Sequence, residues 1–152
     1  MTLPFIAYLI GCVIAGVLLT IVVSMFRSTK SLDEFKPVKW IVVLGAIAGL
    51  APYGWHEVLT RQHGAEMEKA IKAGISDANV NGQLAYYRVM KASEKKAEVT
   101  AVATEKGQFG DPERTVVLLE LSKTSGKWHT ESFEFVNSYK RNKDGTTFPP
   151  FW

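Results

Sequence analysis

The distribution of hydrophobic and polar residues divides the chain into an apolar first part and a mixed second part. From Leu3 to Phe26 the sequence contains no charged residue. A helix of that length would measure roughly 36 Å, enough to cross a hydrocarbon layer of roughly 30 Å. A second apolar run extends from Trp40 to Trp55, and aromatic residues at both ends are typical of membrane interfaces. The pattern predicts a hairpin of two transmembrane helices within residues 1–60.

The segment between the two apolar runs is basic and indicates a topology. Loop 27–39 contains four lysine or arginine residues against two acidic residues. By the positive-inside rule, a loop of this kind stays in the cytoplasm. We therefore predict a multi-pass protein of the cell inner membrane, with loop 27–39 cytoplasmic and both termini outside, so that the second domain is periplasmic.

Small residues recur at helical spacing in both apolar runs. The first run contains Ala7, Gly11 and Ala15, and the second contains Gly45 and Gly49. Such stripes allow two helix backbones to approach closely in lipid. The two stripes either pack on each other within the hairpin or bind another integral membrane subunit. Gly11, Ala15, Gly45 and Gly49 are therefore candidate partner-binding residues.

After Thr60 the hydrophobic pattern changes from membrane-like to amphipathic. Apolar residues at three- and four-residue steps predict a helix that continues the second span and ends at Gly74. The fold class predicted is a membrane α-helical hairpin plus an α+β extramembrane domain, residues 61–152, in which one helix packs on an antiparallel sheet. Alternation at every second residue predicts about four strands, at 83–92, 95–105, 114–122 and 128–136.

The sequence ends in an aromatic and proline-rich segment, Phe148-Pro149-Pro150-Phe151-Trp152. The prolines favour an extended backbone that has little conformational entropy left to lose on binding. Three large aromatic side chains so close together need to be covered. They dock either on the sheet of their own domain or on a neighbouring subunit. Phe148, Phe151 and Trp152 are therefore candidate partner-binding residues.

The residues that could carry chemistry do not form a catalytic or metal-binding motif. His56 and His63 are two helical turns apart, roughly 10 Å along the axis, which is too far for one metal ion. His129 lies on a predicted strand, and Cys12, the single cysteine, lies inside the first apolar run. No glycine-rich phosphate-binding loop precedes a helix. We expect no enzyme activity, no cofactor, no metal and no small-molecule substrate.

Charge excludes two further classes of function. The net charge is only +3, and basic and acidic residues are interspersed, unlike the basic stripe of a nucleic-acid-binding protein. Neither apolar run, Leu3–Phe26 or Trp40–Trp55, contains an Asp, Glu, Lys, Arg or His residue. Ionisable residues inside the membrane mark ion and proton pathways. We therefore expect neither a nucleic-acid partner nor a pump, transporter or channel that acts alone.

Part of the second domain resembles a known family. The segment KKAEVTAVATEKGQFG, followed by VVLLELSKTSGKWHTESFEF with its hairpin at Gly126-Lys127-Trp128, is similar to the membrane-anchored domain of the cytochrome-oxidase assembly-factor and presequence-translocase subunit family. The resemblance covers Glu66 to Val136, and the same hairpin occurs in cone-shaped nuclear-transport-factor-like domains. This chain differs in having two apolar runs and an aromatic tail. The resemblance implies a non-catalytic domain that binds or stabilises membrane complexes.

These observations favour an accessory or assembly subunit of a larger membrane complex of the respiratory or photosynthetic type. Its partners would be membrane lipid and other integral membrane subunits. The alternative is a membrane-anchored ligand-binding or sensor module, with an apolar pocket in the sheet domain. An enclosed pocket would favour the alternative, whereas a solid core would not. The residues expected to line such a pocket are Tyr86, Val99, Leu119 and Phe133.

Overall fold

The computed structural model describes residues 2–26, 36–107, 110–147 and 149. They form two long helices and one antiparallel sheet of five strands, as the hairpin-plus-sheet prediction requires. The elements in chain order are helices α1 (Thr2–Met25) and α2 (Pro37–Asp77), then strands β1 (Gly82–Ala92), β2 (Lys96–Lys106), β3 (Pro112–Thr124) and β4 (Lys127–Ser138), a 3₁₀ turn (Tyr139–Arg141) and strand β5 (Lys143–Asp144).

The chain divides into two compact units, and α2 contributes to both. The first unit contains α1 and the part of α2 that ends at Gly54, whereas the second comprises Trp55–Thr147. Both helices contain a stretch that is long and apolar enough to cross a membrane. The prediction that the amphipathic helix continues the second apolar run is confirmed, because α2 is one helix of 41 residues.

Helix α2 ends at Asp77 and not at Gly74, where its end was predicted. A β carbon at Gly74 would lie 2.5 Å from Thr130 Oγ1 and 3.2 Å from Leu119 Cδ2. Gly74 is therefore a point of close approach between the helix and the sheet, and it does not terminate the helix. The helix ends three residues later, and Asn79 then reverses the chain with a left-handed φ of +53°.

The sheet is a simple meander in which each strand pairs with the next along the chain. The ends of the four predicted strands lie within about two residues of those observed, whereas β5 was not predicted. Strand β5 has two residues, too few for a periodic signal. The predicted tight turn between β3 and β4 is confirmed. Ser125 and Gly126 both have positive φ angles, 53° and 78°, as a two-residue hairpin turn requires.

The core of the second unit lies between α2 and one face of the sheet. Met67 and Ile71 on α2 are fully buried against Val99 on β2 and Leu119 on β3. Because side chains alternate along a strand, every second residue of β2 and β3 contributes to this layer. The strand residues of this layer are Ala97, Val99, Ala101, Ala103, Val117, Leu119 and Leu121.

Thr60 joins α2 to strand β1 at the edge of the sheet. Its hydroxyl accepts a hydrogen bond from the Val89 N–H at 2.9 Å and donates one to the His56 carbonyl at 2.7 Å.

We expect Thr60→Val to lower the free energy of unfolding by about 1–2 kcal/mol, because the Val89 N–H loses its acceptor in a partly buried position. Denaturant unfolding followed by tryptophan fluorescence measures the change. Thr124→Val, at an exposed strand end, is the control and should change stability by less than about 0.5 kcal/mol.

Candidate interaction surface

The large apolar side chains of the first unit are mostly exposed. Ile10 on α1 and Ile47 on α2 are each 56% exposed, and Leu18 is 59% exposed. In the second unit, by contrast, most aliphatic side chains of the helix and the central strands are buried. Soluble monomers rarely expose so many large apolar side chains, and such surfaces mark contact with protein or membrane. The first unit therefore needs lipid or protein around it.

Glycines bring the backbones of α1 and α2 into contact. A β carbon at Gly16 would lie 2.5 Å from the carbonyl oxygen of Ile41 and 2.9 Å from the amide nitrogen of Gly45. A β carbon at Gly45 would lie 3.0 Å from the Cys12 carbonyl oxygen. Because the opposing atoms are backbone atoms, they cannot rotate away. Position 16 therefore accepts only glycine without a shift of one helix, which is how glycine supports close helix packing in apolar surroundings.

Two tyrosines add a polar contact between the same helices. The Tyr8 hydroxyl donates a hydrogen bond to the Gly49 carbonyl oxygen at 2.5 Å. The Tyr8 and Tyr53 rings meet edge to face, with their centroids 6.1 Å apart. Interhelical hydrogen bonds in apolar surroundings contribute about 1 kcal/mol. This contact therefore supplements the glycine packing and does not replace it.

A groove runs between α1 and α2 on one side of their contact, with a volume of about 800 Å³. Its floor includes Cys12, Gly45 and Gly49, whose small side chains leave the space open. Aliphatic and aromatic side chains form its walls, so that it can accept an apolar helix or an apolar chain. The wall residues are Phe5, Leu9 and Val13 on α1 and Val42, Ala46 and Leu50 on α2.

The predicted partner-binding residues of the helices lie in different surroundings. Gly45 and Gly49 are buried between the helices and line the groove. Gly11 is exposed, and a β carbon there would meet no atom within 4 Å. Ala15 is half-buried. The stripe through Gly11 is therefore not the face by which α1 packs on α2, and whether it binds a partner stays a prediction.

Gly16, the point of closest contact between the helices, was not among the predicted residues. Cys12, Gly16 and Thr20 also recur at four-residue steps, one position away from the predicted stripe. Gly16 and Thr20 are buried, and the Thr20 hydroxyl donates to the Gly16 carbonyl oxygen within the same helix at 2.7 Å. The helical spacing of these three small residues was the available signal.

Several predictions concern segments that the structure does not describe. Phe148, Phe151 and Trp152, the predicted partner-binding residues of the tail, lie outside the described residues, as does most of loop 27–39. Pro149 is described and is buried. Docking of the tail on a partner or on its own domain therefore stays a prediction.

In the second unit, Glu105 forms a buried polar cluster at the end of strand β2. Its side chain is only 2% exposed. Its carboxylate accepts hydrogen bonds from the Thr115 hydroxyl at 2.7 Å, from Arg141 Nη1 at 2.9 Å and from the backbone N–H of Asn81 at 3.1 Å. Arg141 also donates to the Asn79 carbonyl oxygen at 2.9 Å. The cluster therefore fastens the segment after α2 to the 3₁₀ turn after β4.

The charge of Glu105 is maintained by its partners. Burial acts to raise the pKa of this carboxyl group, but the hydrogen bonds from Thr115 and Arg141 and the positive charges of Arg141 and Lys140 outweigh it. The net result is a pKa below the ordinary value of 4.5. A carboxylate held in the charged form by an arginine, with almost no accessible surface, is suited to structural stabilisation and not to proton transfer.

The histidines that the sequence offered are spread over the second unit. His56 and His63 are half-buried on α2, and His129 is exposed on β4. In the described parts of the chain, no three His, Cys, Asp or Glu side chains lie close enough to share a metal ion. The described geometry therefore gives no basis for a metal site.

The four residues expected to line a ligand pocket do not enclose a common space. Val99 and Leu119 are completely buried in the layer against α2. Tyr86 is 37% exposed and pairs with Val102, whose side chain alternates to the opposite face of the sheet from Val99. Phe133 is 44% exposed. Phe133 pairs with Leu119 on the α2 face, where Leu119 and Val99 are packed in the core, whereas Tyr86 projects from the opposite face, so these four side chains do not line one pocket.

Comparison with known proteins gives no family for this chain. No protein-family model matches it, and neither a curated protein nor a solved structure matches it. The similarity to the cytochrome-oxidase assembly-factor and presequence-translocase subunit family therefore stays a prediction, and the function has to be argued from the geometry.

Proposed function

We propose that this protein is a non-catalytic accessory or assembly subunit of a larger membrane complex, of the respiratory or photosynthetic type. Its first unit inserts into the membrane and binds a transmembrane helix of a partner subunit in the groove between α1 and α2. The observation that carries the proposal is this groove of about 800 Å³, with a floor of small residues and apolar walls.

Membrane insertion explains why the first unit exposes its apolar side chains. The apolar stretch Leu3–Met25 of α1 has 23 residues, more than the roughly 20 that a span requires. The basic loop 27–39 then stays in the cytoplasm, and the second unit lies on the periplasmic side of the inner membrane. Lipid would cover the exposed side chains on most of the hairpin surface.

The walls of the groove suit a transmembrane helix as its occupant. Leu9 and Val13 form a ridge on one side, and Val42, Ala46 and Leu50 form a ridge on the other. A third helix can place a row of side chains between two such ridges, as helices do when they pack ridge into groove. The small floor residues allow the backbone of that helix to come close, which favours association in lipid.

Filling the groove should remove the partner. We expect Ala46→Phe to reduce the amount of partner subunit that copurifies from native membranes in mild detergent by about tenfold or more, because the new ring occupies the space of the partner side chains. Quantitative mass spectrometry of the purified complex, together with its native size, measures the loss. Ala51→Phe is the matched control, because Ala51 is an exposed alanine of the same helix that does not line the groove.

Two results would contradict the proposal. The first is a wild-type chain that runs free of any other polypeptide in mild detergent. The second is a partner that is retained equally by wild type, Ala46→Phe and Ala51→Phe. Both variants add the same side chain to α2. The control variant therefore distinguishes the effect of filling the groove from the effect of a general disturbance of the helix.

The second candidate function is a membrane-anchored module that binds a lipid-soluble molecule. The groove volume lies within the roughly 300–1,000 Å³ that small-molecule sites occupy. Tyr8 and Tyr53 would supply the polar end of such a site. Extraction of bound lipids from the purified protein distinguishes the two candidates. One apolar molecule per protein chain that is present in wild type and absent from Ala46→Phe would favour the ligand-binding function.

A further inference from the structure

The connection between strands β1 and β2 is basic. Residues 91–96, which comprise the end of β1, the turn and the first residue of β2, contain three lysines and one glutamate. The side chains of Lys91 and Lys96 are 75% and 77% exposed, and Lys95 is exposed as well. We call residues 91–96 the basic turn. Its position along α2 gives this composition a consequence.

Contacts within the second unit establish the direction of β1 along α2. A β carbon at Gly64 would lie 2.9 Å from Tyr87 Cε2, and the Thr60 hydroxyl accepts the hydrogen bond of the Val89 N–H. His56 lies against the backbone of Val89 and of the residue that follows it. As β1 proceeds, it therefore meets residues that come earlier and earlier in α2. Strand β1 runs antiparallel to the helix, towards the start of the second unit.

The basic turn lies at about the level of Trp55 along α2. Ala92, the last residue of β1, comes three residues after Val89, roughly 10 Å at the rise of a strand. Trp55 comes five residues before Thr60, roughly 8 Å at the rise of a helix. Trp55 is also the last residue of the second apolar run. Under the proposed function, on which this inference rests, it lies at the membrane surface, and so does the basic turn.

Backbone hydrogen bonds hold the basic turn in one conformation. The Ser93 N–H donates to the Lys96 carbonyl oxygen at 2.8 Å, and the Lys96 N–H donates to the Ser93 hydroxyl oxygen at 3.1 Å. The Lys95 carbonyl oxygen accepts a hydrogen bond from the Lys123 N–H of strand β3 at 2.8 Å. The turn therefore presents its lysine side chains from a backbone that is already ordered.

We propose that the basic turn binds the phosphate groups of anionic phospholipids at the surface of the membrane that α2 crosses. A lysine at this level can lay its alkyl chain along the interface and extend its ammonium group to the phosphates. The negative potential of an anionic bilayer attracts basic residues within a Debye length of the surface, about 10 Å. The excess of lysine in the basic turn complements that potential.

The ion pairs of these lysines are compatible with lipid binding. Lys91 pairs with Glu98 at 3.0 Å and Lys96 with Glu131 at 3.8 Å, and both pairs are exposed. Exposed ion pairs contribute little free energy, so a phosphate group can replace either carboxylate. Lys95 forms no ion pair with another described residue. Lys95 and Lys96, which lie at the turn itself, are therefore the residues that we expect to contribute most.

The first experiment measures the distance of the basic turn from the headgroups. The full-length protein in a Cys12→Ala background carries a bimane fluorophore at Glu94→Cys or at Gln83→Cys, both exposed positions. Gln83 comes nine residues before Ala92, roughly 30 Å along β1. In vesicles of three parts phosphatidylcholine to one part phosphatidylglycerol, nitroxide-labelled headgroups should quench the fluorophore at residue 94 several-fold more than at residue 83. Equal quenching at the two positions would overturn the inference.

The second experiment measures lipid preference in the same vesicles. Electron paramagnetic resonance of spin-labelled phosphatidylglycerol and phosphatidylcholine gives their relative association with the protein. We expect Lys95→Gln with Lys96→Gln to lower the preference for phosphatidylglycerol by about threefold or more, because two charges near the surface are lost. Lys106→Gln with Lys143→Gln is the matched control, since it removes two exposed lysines at the opposite end of the sheet. A preference that the two double variants change equally, or that neither changes, would overturn the inference.

A spin label at Ile14 in the same vesicles distinguishes the failure of this inference from the failure of the proposed function. If Ile14 lies in lipid and residue 94 is not quenched, the basic turn does not bind headgroups, although the hairpin is inserted. If Ile14 does not lie in lipid, insertion itself is wrong, and this inference falls with it. Loss of the partner subunit from the groove, by contrast, leaves the expected quenching unchanged.

Discussion

Gly16→Leu is expected to separate α1 from α2, whereas Gly11→Leu is expected to leave their packing intact. The β carbon of residue 16 would lie 2.5 Å from the Ile41 carbonyl oxygen, and a leucine side chain adds further atoms beyond it. Residue 11 has no atom within 4 Å of its β-carbon position. Overpacking at a site that cannot relax costs about 3 kcal/mol. The same substitution, five residues apart on one helix, should therefore have opposite outcomes.

The native Cys12 provides the measurement. A β carbon at Gly49 lies 3.0 Å from Cys12 Sγ, so Gly49→Cys places a thiol next to the native one. Oxidation in membranes should join the two cysteines within one chain, and a maleimide mass shift reports the thiols that remain free. We expect fast cross-linking in the Gly49→Cys parent and with Gly11→Leu added. With Gly16→Leu added, the rate should fall by about tenfold or more.

The Gly11→Leu variant also separates two possible docking faces. The proposed function uses the groove, and Gly11 does not line it. A partner that is lost with Gly11→Leu while the Cys12 cross-link persists would assign docking to the stripe through Gly11 and Ala15. A partner that is retained would leave the groove as the docking site. Equal cross-linking rates in the Gly16→Leu and Gly11→Leu variants would contradict the described contact between the helices.

Arg141→Ala is expected to lower the free energy of unfolding of the second unit by about 3 kcal/mol at pH 7. The substitution leaves the Glu105 carboxylate buried without its closest positive charge, and breaking a buried pair at one end is costly. Arg141 Nη1 is 2.9 Å from the carboxylate, whereas Lys140 Nζ is 4.0 Å away and more exposed. Lys140→Ala is therefore the matched control, with an expected loss below about 1 kcal/mol. Denaturant unfolding in detergent measures both.

The same cluster predicts a pH dependence. Because the pKa of Glu105 is lower in the folded protein than its ordinary 4.5, the stabilisation is fully present above that pH. It is lost as the pH falls through the lower folded-state pKa. Glu105→Gln cannot titrate, so its stability should fall less between pH 6 and pH 3 than that of wild type. Parallel pH profiles of wild type and Glu105→Gln would contradict a structural role for the charge.

Much of the fold could be predicted because its signals are local. The apolar runs, the change of period after Thr60 and the turn at Ser125-Gly126 each fall within a short window of sequence. They led to two apolar helices and to four of the five strands in nearly correct positions. The end of α2 was wrong because a glycine inside a helix and a glycine at its end have the same sequence signature, and only the contact of Gly74 with Thr130 distinguishes them.

The parts that could not be predicted depend on contacts between distant residues. Gly11 and Gly16 both belong to rows of small residues at four-residue steps, and the rows face directions that differ by about 100°. Their spacing does not tell which row meets the other helix. Glu105 and Arg141 are 36 residues apart, and no local pattern relates them.

Everything proposed for the first unit depends on lipid around α1 and the first part of α2. Spin labels at Ile14 and Ile47, exposed positions in the two helices, test this directly in liposomes, with Ser132 as the reference in the second unit and Cys12 replaced by alanine. We expect collisions with oxygen to exceed those with a water-soluble nickel chelate at Ile14 and Ile47, and the reverse at Ser132. Equal access of the chelate to all three positions would contradict insertion of the hairpin into the membrane.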